Sequence, residues 1–247
     1  MAKKIFLAGA TGAVGRRMLP LLRAAGYEVT GTTRAASKAE ELRAAGVTPV
    51  VVDAFDPSAL TAAVAAARPD VVVHQLTDLP PGLKAELMAE GLIRNARLRI
   101  DGTRNLVGAA LGAGARRFIA QSIAFVYAEG PKPYEEGAPL MSPTEEPWRT
   151  TMEGVTTLER LAVSTPGFDG IVLRYGMFYG PGSGFETAPG KPAVHVDAAA
   201  QAAVLAIERG KPGIYNIAED DGTVSIVKAR REFGWNPDFR PAGAGLR

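Results

Sequence analysis

The chain has 247 residues, enough for one large domain that buries roughly three quarters of its unfolded surface. Hydrophobic residues make up 47% and charged residues 22%, which excludes disordered, collagen-like and coiled-coil chains. Twenty-eight Lys and Arg against 26 Asp and Glu argue against a nucleic-acid partner, and the absence of Cys removes disulfides, thiol nucleophiles and Cys-ligated metals.

In chain order, Lys4–Ala8 is the first expected strand. Its apolar run is too short for a signal peptide and breaks at Gly9, and no stretch approaches the ~20 apolar residues of a membrane span, so a cytoplasmic protein without a membrane partner is expected. A helix follows over Ala13–Ala25, then a strand over Glu28–Thr33, a helix over Lys38–Ala45 and a strand over Thr48–Val52. Asp56-Pro57 starts a helix over Ser58–Ala67, ahead of the strand Val71–His74. Next come the helix Gly102–Ala113 and the strand Arg117–Gln121. The Pro-rich stretch Glu129–Pro147 predicts a long loop at a strand's carboxyl end, a place for substrate. The helix Thr151–Ser164 and the strand Gly170–Arg174 precede a second Gly/Pro-rich stretch, 176–192, and the helix Asp197–Arg209 and strand Gly213–Ile217 end the series. Most of these strands are continuously apolar, as a parallel sheet covered on both faces requires. The expected fold class is α/β: a doubly wound Rossmann-type parallel sheet of about seven strands, ordered 3-2-1-4-5-6. One domain is expected over 1–247, with parts of 176–195 and 218–247 forming a small C-terminal lobe.

The strongest chemical signal is Gly9-Ala10-Thr11-Gly12-Ala13-Val14-Gly15, set between a strand and a helix of one βαβ unit. Gly9 permits the tight turn, Gly12 the close approach of a pyrophosphate, and Gly15 close helix–strand packing, while the helix N-terminus offers its unpaired N–H groups to phosphate. At the end of the second strand stand Thr32-Thr33-Arg34, with no carboxylate to repel a 2′-phosphate. Thr33, Arg34 and Lys38 therefore predict NADP over NAD. Asp53, ending the third strand, is expected to accept from the adenine amino group, with a turn carboxylate as the alternative. Leu76 and Thr77, past the fourth strand, are expected beside the ribose or nicotinamide. His74, among valines, reads as a core histidine.

The chain resembles the extended or atypical short-chain dehydrogenase/reductases of the NAD-dependent epimerase/dehydratase type. The resemblance rests on Gly9–Gly15, Asp70–Thr77, Asp101–Leu106, Arg117–Tyr127, Leu173–Gly176 with Tyr179–Gly182, His195–Asp197 and Tyr215–Ile217. It implies a dinucleotide across the sheet and a small-molecule substrate above the strands' carboxyl ends, and a homodimer is compatible with it. The family's proton chemistry normally uses a Tyr-x-x-x-Lys pair, which this sequence lacks. Aligned on Glu159, the tyrosine position holds Thr151 and the lysine position Val155.

Ser122 is the expected carbonyl-polarising hydroxyl, although counting back from Val126-Tyr127 puts Ile123 there instead. Tyr127 is the expected phenol, with packing under the loop as its alternative, and Arg174 and His195 are expected at the substrate. The segments 182–193 and 222–229 are short for a nucleotide-sugar lobe. The sequence thus points to an NADP(H)-binding oxidoreductase or epimerase/dehydratase-like enzyme acting on a small or medium polar organic substrate. The alternative is a catalytically silent dinucleotide-binding or redox-sensing protein.

Overall fold

A computed structural model describes residues 2–241 of the chain. The first half runs β1 (Lys4–Ala8), α1 (Ala13–Ala24), β2 (Glu28–Thr33), α2 (Ala39–Ala44), β3 (Thr48–Val51), α3 (Pro57–Ala67), β4 (Val71–His74), α4 (Met88–Arg97) and α5 (Thr103–Gly112). The second half runs β5 (Arg117–Ile123), α6 (Trp148–Ser164), β6 (Asp169–Tyr175), β7 (Met177–Tyr179), β8 (Ala193–His195), α7 (Val196–Leu205), β9 (Gly213–Ile217) and α8 (Val227–Phe233).

Seven strands form one parallel sheet in the order β3-β2-β1-β4-β5-β6-β9, and β7 with β8 forms a small parallel pair beside it. The pleat sends alternate side chains to opposite faces, so each strand feeds two cores. Ile5 and Leu7 of β1, Val71 and Val73 of β4 and Ile171 and Leu173 of β6 pack with α1 and α7. Phe6 and Ala8, Val72, Phe118 and Val172 point the other way, onto α3, α5 and α6. Two covered faces account for the unbroken apolar strands.

Several elements differ from expectation. Helix α4, not among the expected elements, is amphipathic, and it continues through a π-helical turn, Leu98–Gly102, into α5. Gly91 supports it by closeness rather than propensity, since a Cβ there would stand 2.5 Å from Pro80 Cδ. Helix α6 starts at Trp148, directly after Pro147, and β5 runs two residues further than expected, pairing Ser122 with Arg174 and Ile123 with Tyr175. The helix expected to reach Arg209 ends at Leu205.

The stretch 176–192 gives way at its ends to β7 and β8, and the region after 218 supplies α8, whose Phe233 ring lies 4.3 Å from that of Tyr215. That C-terminal segment therefore packs on the sheet's main core. Residues 242–247 of the expected lobe lie outside the described residues.

Candidate active site

Gly9, at φ +89°, makes the turn at the end of β1, where a Cβ would meet the Gln75 carbonyl oxygen at 2.6 Å. A Cβ on Gly15 would stand 2.1 Å from the Gly9 carbonyl oxygen, so only glycine lets α1 start this close to the turn. The Gly9 amide is held by Thr32 Oγ1 at 3.1 Å, and the Gly12 amide by the Gly9 carbonyl at 3.0 Å. Gly12 caps α1 through its backbone alone, with no side-chain acceptor on the first-turn amides and no acid among Ala13, Val14 and Gly15. Thr11 receives the Arg16 guanidinium on its carbonyl at 3.0 Å. A narrow, acid-free turn with no room for a Cβ at Gly9 or Gly15 fits a dinucleotide pyrophosphate.

At the tip of β2, Thr33 is buried and its hydroxyl closes the turn to Ala35, leaving Arg34 exposed. Arg34 donates to Asp78 Oδ1 at 3.0 Å, a partner not foreseen from the sequence because Asp78 lies beyond β4. Lys38 is half-buried in a turn over Ala36–Lys38, ahead of α2. Asp53 is exposed and one of its oxygens accepts from the Phe55 amide at 2.9 Å, the turn role held open as its alternative. Leu76 is half-buried, with its amide on His74 Nδ1 at 3.2 Å, and Thr77 is exposed just beyond β4.

The residues expected at the reacting centre are drawn into one buried network. Glu159, on α6, takes two hydrogen bonds from Arg174, at 2.8 and 2.7 Å, and a third from the Ser122 hydroxyl at 2.7 Å. Arg174 also donates to the Tyr127 hydroxyl at 2.9 Å and to the Glu136 carbonyl at 3.1 Å, and Tyr127 donates to Asn216 Oδ1 at 2.6 Å. Burial raises the Tyr127 phenol above its ordinary value although Arg174 pulls against it, so this phenol is a poorer acid than a free one. Burial alone would lower Arg174, but the hydrogen bonds and charge of Glu159 outweigh it and hold the guanidinium charged. Asn216 and the long loop close the network, through Asn216 Nδ2 to the Tyr134 carbonyl at 3.2 Å. The network holds the 129–147 loop over the carboxyl ends of β6 and β9.

The network engages both Ser122 and Arg174. Ser122 is fully buried with its proton committed to Glu159, and Arg174 is buried with its donors committed to Glu159, Tyr127 and the loop. Ile123, one residue on, joins Val126, Met152, Val155, Leu140 and Met141 in an apolar cluster. Thr151 is buried, and its hydroxyl donates to the Pro147 carbonyl at 2.9 Å within the first turn of α6.

His195 caps α7, its Nδ1 accepting from the Asp197 amide at 3.2 Å, and its ring packs under Gly180 and edge-on to Tyr179. His74 is buried against Thr103 Oγ1 at 3.0 Å, as a core histidine should be. Burial, with the Arg99 charge beside it, lowers His74 from 6.5 to about 4. The folded state thus refuses a proton that the unfolded chain takes up, so stability should be full above pH 6.5 and fall as the pH drops towards 5. Urea unfolding at pH 7.5 and 5.0 checks this: His74→Gln should lose less stability between the two than the parent chain. An equal loss would place the dependence on other groups.

The model of the NAD dependent epimerase/dehydratase family matches residues 5–193. A Streptomyces protein described as a 3-diazoavenalumate denitrifying reductase is 41% identical, with 88% of this chain and 76% of that protein covered. Among solved structures, the UDP-glucose 4-epimerase of Thermus thermophilus in complex with NAD superposes at a TM-score of 0.76 and 20% identity, covering 96% of this chain and 94% of that one. The UDP-glucose 4-epimerase of Thermotoga maritima with UDP-glucose gives 0.75 at 20% identity over the same shares.

Proposed function

We propose that this chain, which belongs to the NAD dependent epimerase/dehydratase family, is a nicotinamide-dinucleotide-dependent reductase that delivers hydride to its substrate without a proton from a side chain. The apolar cluster of Ile123, Val126, Met152 and Val155 carries this reading, since it occupies the positions where the family resemblance sets a hydroxyl and a lysine. Losing a general acid costs roughly 10²–10⁴-fold in a reaction that needs one and nothing in a reaction that does not. The Streptomyces relative is named for reducing a diazo compound with loss of nitrogen, and we take a diazo compound as the substrate class.

A nicotinamide dinucleotide held across the turn would supply hydride chemistry; with an ortho-quinone diazide as substrate, a C–H bond forms at the carbon that carried nitrogen, the C–N bond electrons leave on dinitrogen and the ring oxygen is left as phenolate, so the balance closes without a protein acid. In this reading Gly9, Thr11, Gly12, Ala13, Val14 and Gly15 cradle the pyrophosphate, Asp53 faces the adenine, and Leu76 and Thr77 line the nicotinamide end. Ser122, Tyr127 and Arg174 act by positioning: they fix α6 and the loop so that the apolar cluster stays dry. His195 holds the start of α7, and the β7–β8 pair with the segment after β9 forms the substrate lobe.

The test uses the diazo form of 3-amino-4-hydroxybenzoate with cofactor deuterated at the transferable position. Deuterium should appear at the carbon that carried nitrogen, and solvent deuterium should not. If the cofactor binds tightly yet neither this probe, nor aldehydes, ketones and UDP-sugars, is turned over, the redox-sensing reading replaces the enzyme.

We further propose NADP as the preferred cofactor, held by Thr33, Arg34 and Lys38. The Arg34–Asp78 pair is exposed, and such pairs contribute less than about 1 kcal/mol, whereas a charge-assisted phosphate contact contributes about 1.5–3 kcal/mol. The guanidinium should therefore exchange Asp78 for a 2′-phosphate. By fluorescence titration NADPH should bind at least tenfold more tightly than NADH, and Arg34→Asp should remove the difference. Equal affinities in the parent chain would overturn the assignment.

A further inference from the structure

Arg99 lies in the π-helical turn between α4 and α5 and keeps only 8% of its surface, yet its guanidinium makes no hydrogen bond or ion pair among the described residues. The packing puts this cation near the carboxyl ends of β4 and β5. Gly154 brings α6 so close to α4 that a Cβ would stand 2.9 Å from Ala96 Cα, which presses the adjoining turn against the helix that carries Val155 and Glu159. Thr103, directly after the turn, meets His74 at the carboxyl end of β4 at 3.0 Å, and the Ser122 hydroxyl ties Glu159 of α6 to the end of β5 at 2.7 Å.

The charges around it do not balance. Glu159 is matched by the two-pronged bond from Arg174, and His74, lowered to about 4, is neutral at pH 7. Burial lowers Arg99 to about 10, which still leaves it protonated. Arg99, Arg174, Glu159 and His74 together therefore hold one uncompensated positive charge in the interior. The Arg99 nitrogens are not among the fully enclosed unpaired polar atoms, so this largely buried cation keeps an opening to solvent through which an anion could reach it.

We propose that Arg99 is the anion-binding residue of the substrate site, and that the substrate presents a planar carboxylate to its guanidinium. The guanidinium's fixed fork matches the two carboxylate oxygens with parallel hydrogen bonds, which a point charge such as lysine cannot reproduce. The proposal rests on the reductase reading for where the substrate lies, and on the charge balance for what the substrate carries.

Binding without turnover tests it. Protein saturated with NADP⁺ is titrated with 4-hydroxybenzoate and with its methyl ester, which has the same ring and no charge. The parent chain should bind the acid at least tenfold more tightly than the ester. Arg99→Met should remove at least tenfold of the acid's affinity and leave the ester within about twofold, and Arg99→Lys should fall between the two for the acid. If Arg99→Met fails to fold, the Arg99→Lys acid-to-ester ratio decides, and a ratio equal to that of the parent overturns the proposal. It is likewise overturned if acid and ester lose affinity equally, if the parent shows no preference for the acid, or if the loss falls on NADP⁺, which would make the anion the cofactor's. A silent diazo assay beside an acid preference that depends on Arg99 rejects the reductase chemistry and keeps the anion site; turnover of the diazo probe that is insensitive to Arg99 does the reverse.

Discussion

Arg174→Met should lower the unfolding free energy by about 3–5 kcal/mol, the cost of leaving a buried carboxylate without its cation. Glu159 and Arg174 are almost wholly buried, and their two hydrogen bonds of 2.8 and 2.7 Å replace the water that each charge gave up. Methionine fills much of the arginine stem's volume, so the loss reports the charge and its donors rather than a cavity. The change also deprives the Tyr127 hydroxyl and the Glu136 carbonyl of a donor, loosening the loop. Urea unfolding measures the loss directly. Replacing both partners, Glu159→Leu with Arg174→Met, should recover most of it, because an apolar pair leaves no charge stranded. A loss below about 1 kcal/mol for Arg174→Met alone would mean that the pair behaves as a solvated one.

Gly15→Ala should weaken dinucleotide binding at least a hundredfold, about 2.7 kcal/mol. The added methyl would lie 2.1 Å from the Gly9 carbonyl oxygen and 3.0 Å from Ala10 Cα, both backbone atoms that cannot swing aside. To admit it, α1 must withdraw from the turn or the turn must open, and either movement displaces the first-turn amides proposed to face the pyrophosphate. Gly108→Ala is the matching control. It lies within α5 with open space where its Cβ would go, so it should gain up to about 1 kcal/mol in helix propensity and leave cofactor affinity unchanged. Titration and thermal unfolding of the two variants separate a local steric effect from a general loss of stability. Cofactor affinity in Gly15→Ala within threefold of the parent would remove the glycine cradle from the binding site.

What the sequence determined by itself was local. The alternation of Ile5 and Leu7 with Phe6 and Ala8 assigns each side chain to a face, because successive residues of any strand point opposite ways, and the apolar character of both sets calls for cover on both sides. The order of the first six strands follows from right-handed crossovers between neighbours. Gly9, Gly12 and Gly15 announce a cradle because the steric demand of that turn acts within seven residues. The family resemblance, aligned on Glu159, likewise sets Thr151 and Val155 where that family carries its tyrosine and lysine, an expectation legible in the sequence alone.

The partners of the polar side chains were decided only by tertiary structure. Ser122 meets Glu159 across 37 residues, Arg34 meets Asp78 across 44, and Tyr127 meets Asn216 across 89. No periodicity reaches that far: each pairing depends on which strands adjoin in the sheet and how closely α6 docks. Arg99 shows the same limit most clearly. Nothing local marks it as buried; the π-helical turn and the close approach of α6 at Gly154 bury it. Burial converts an ordinary arginine into an unpaired cation, and burial is a property of the assembled fold.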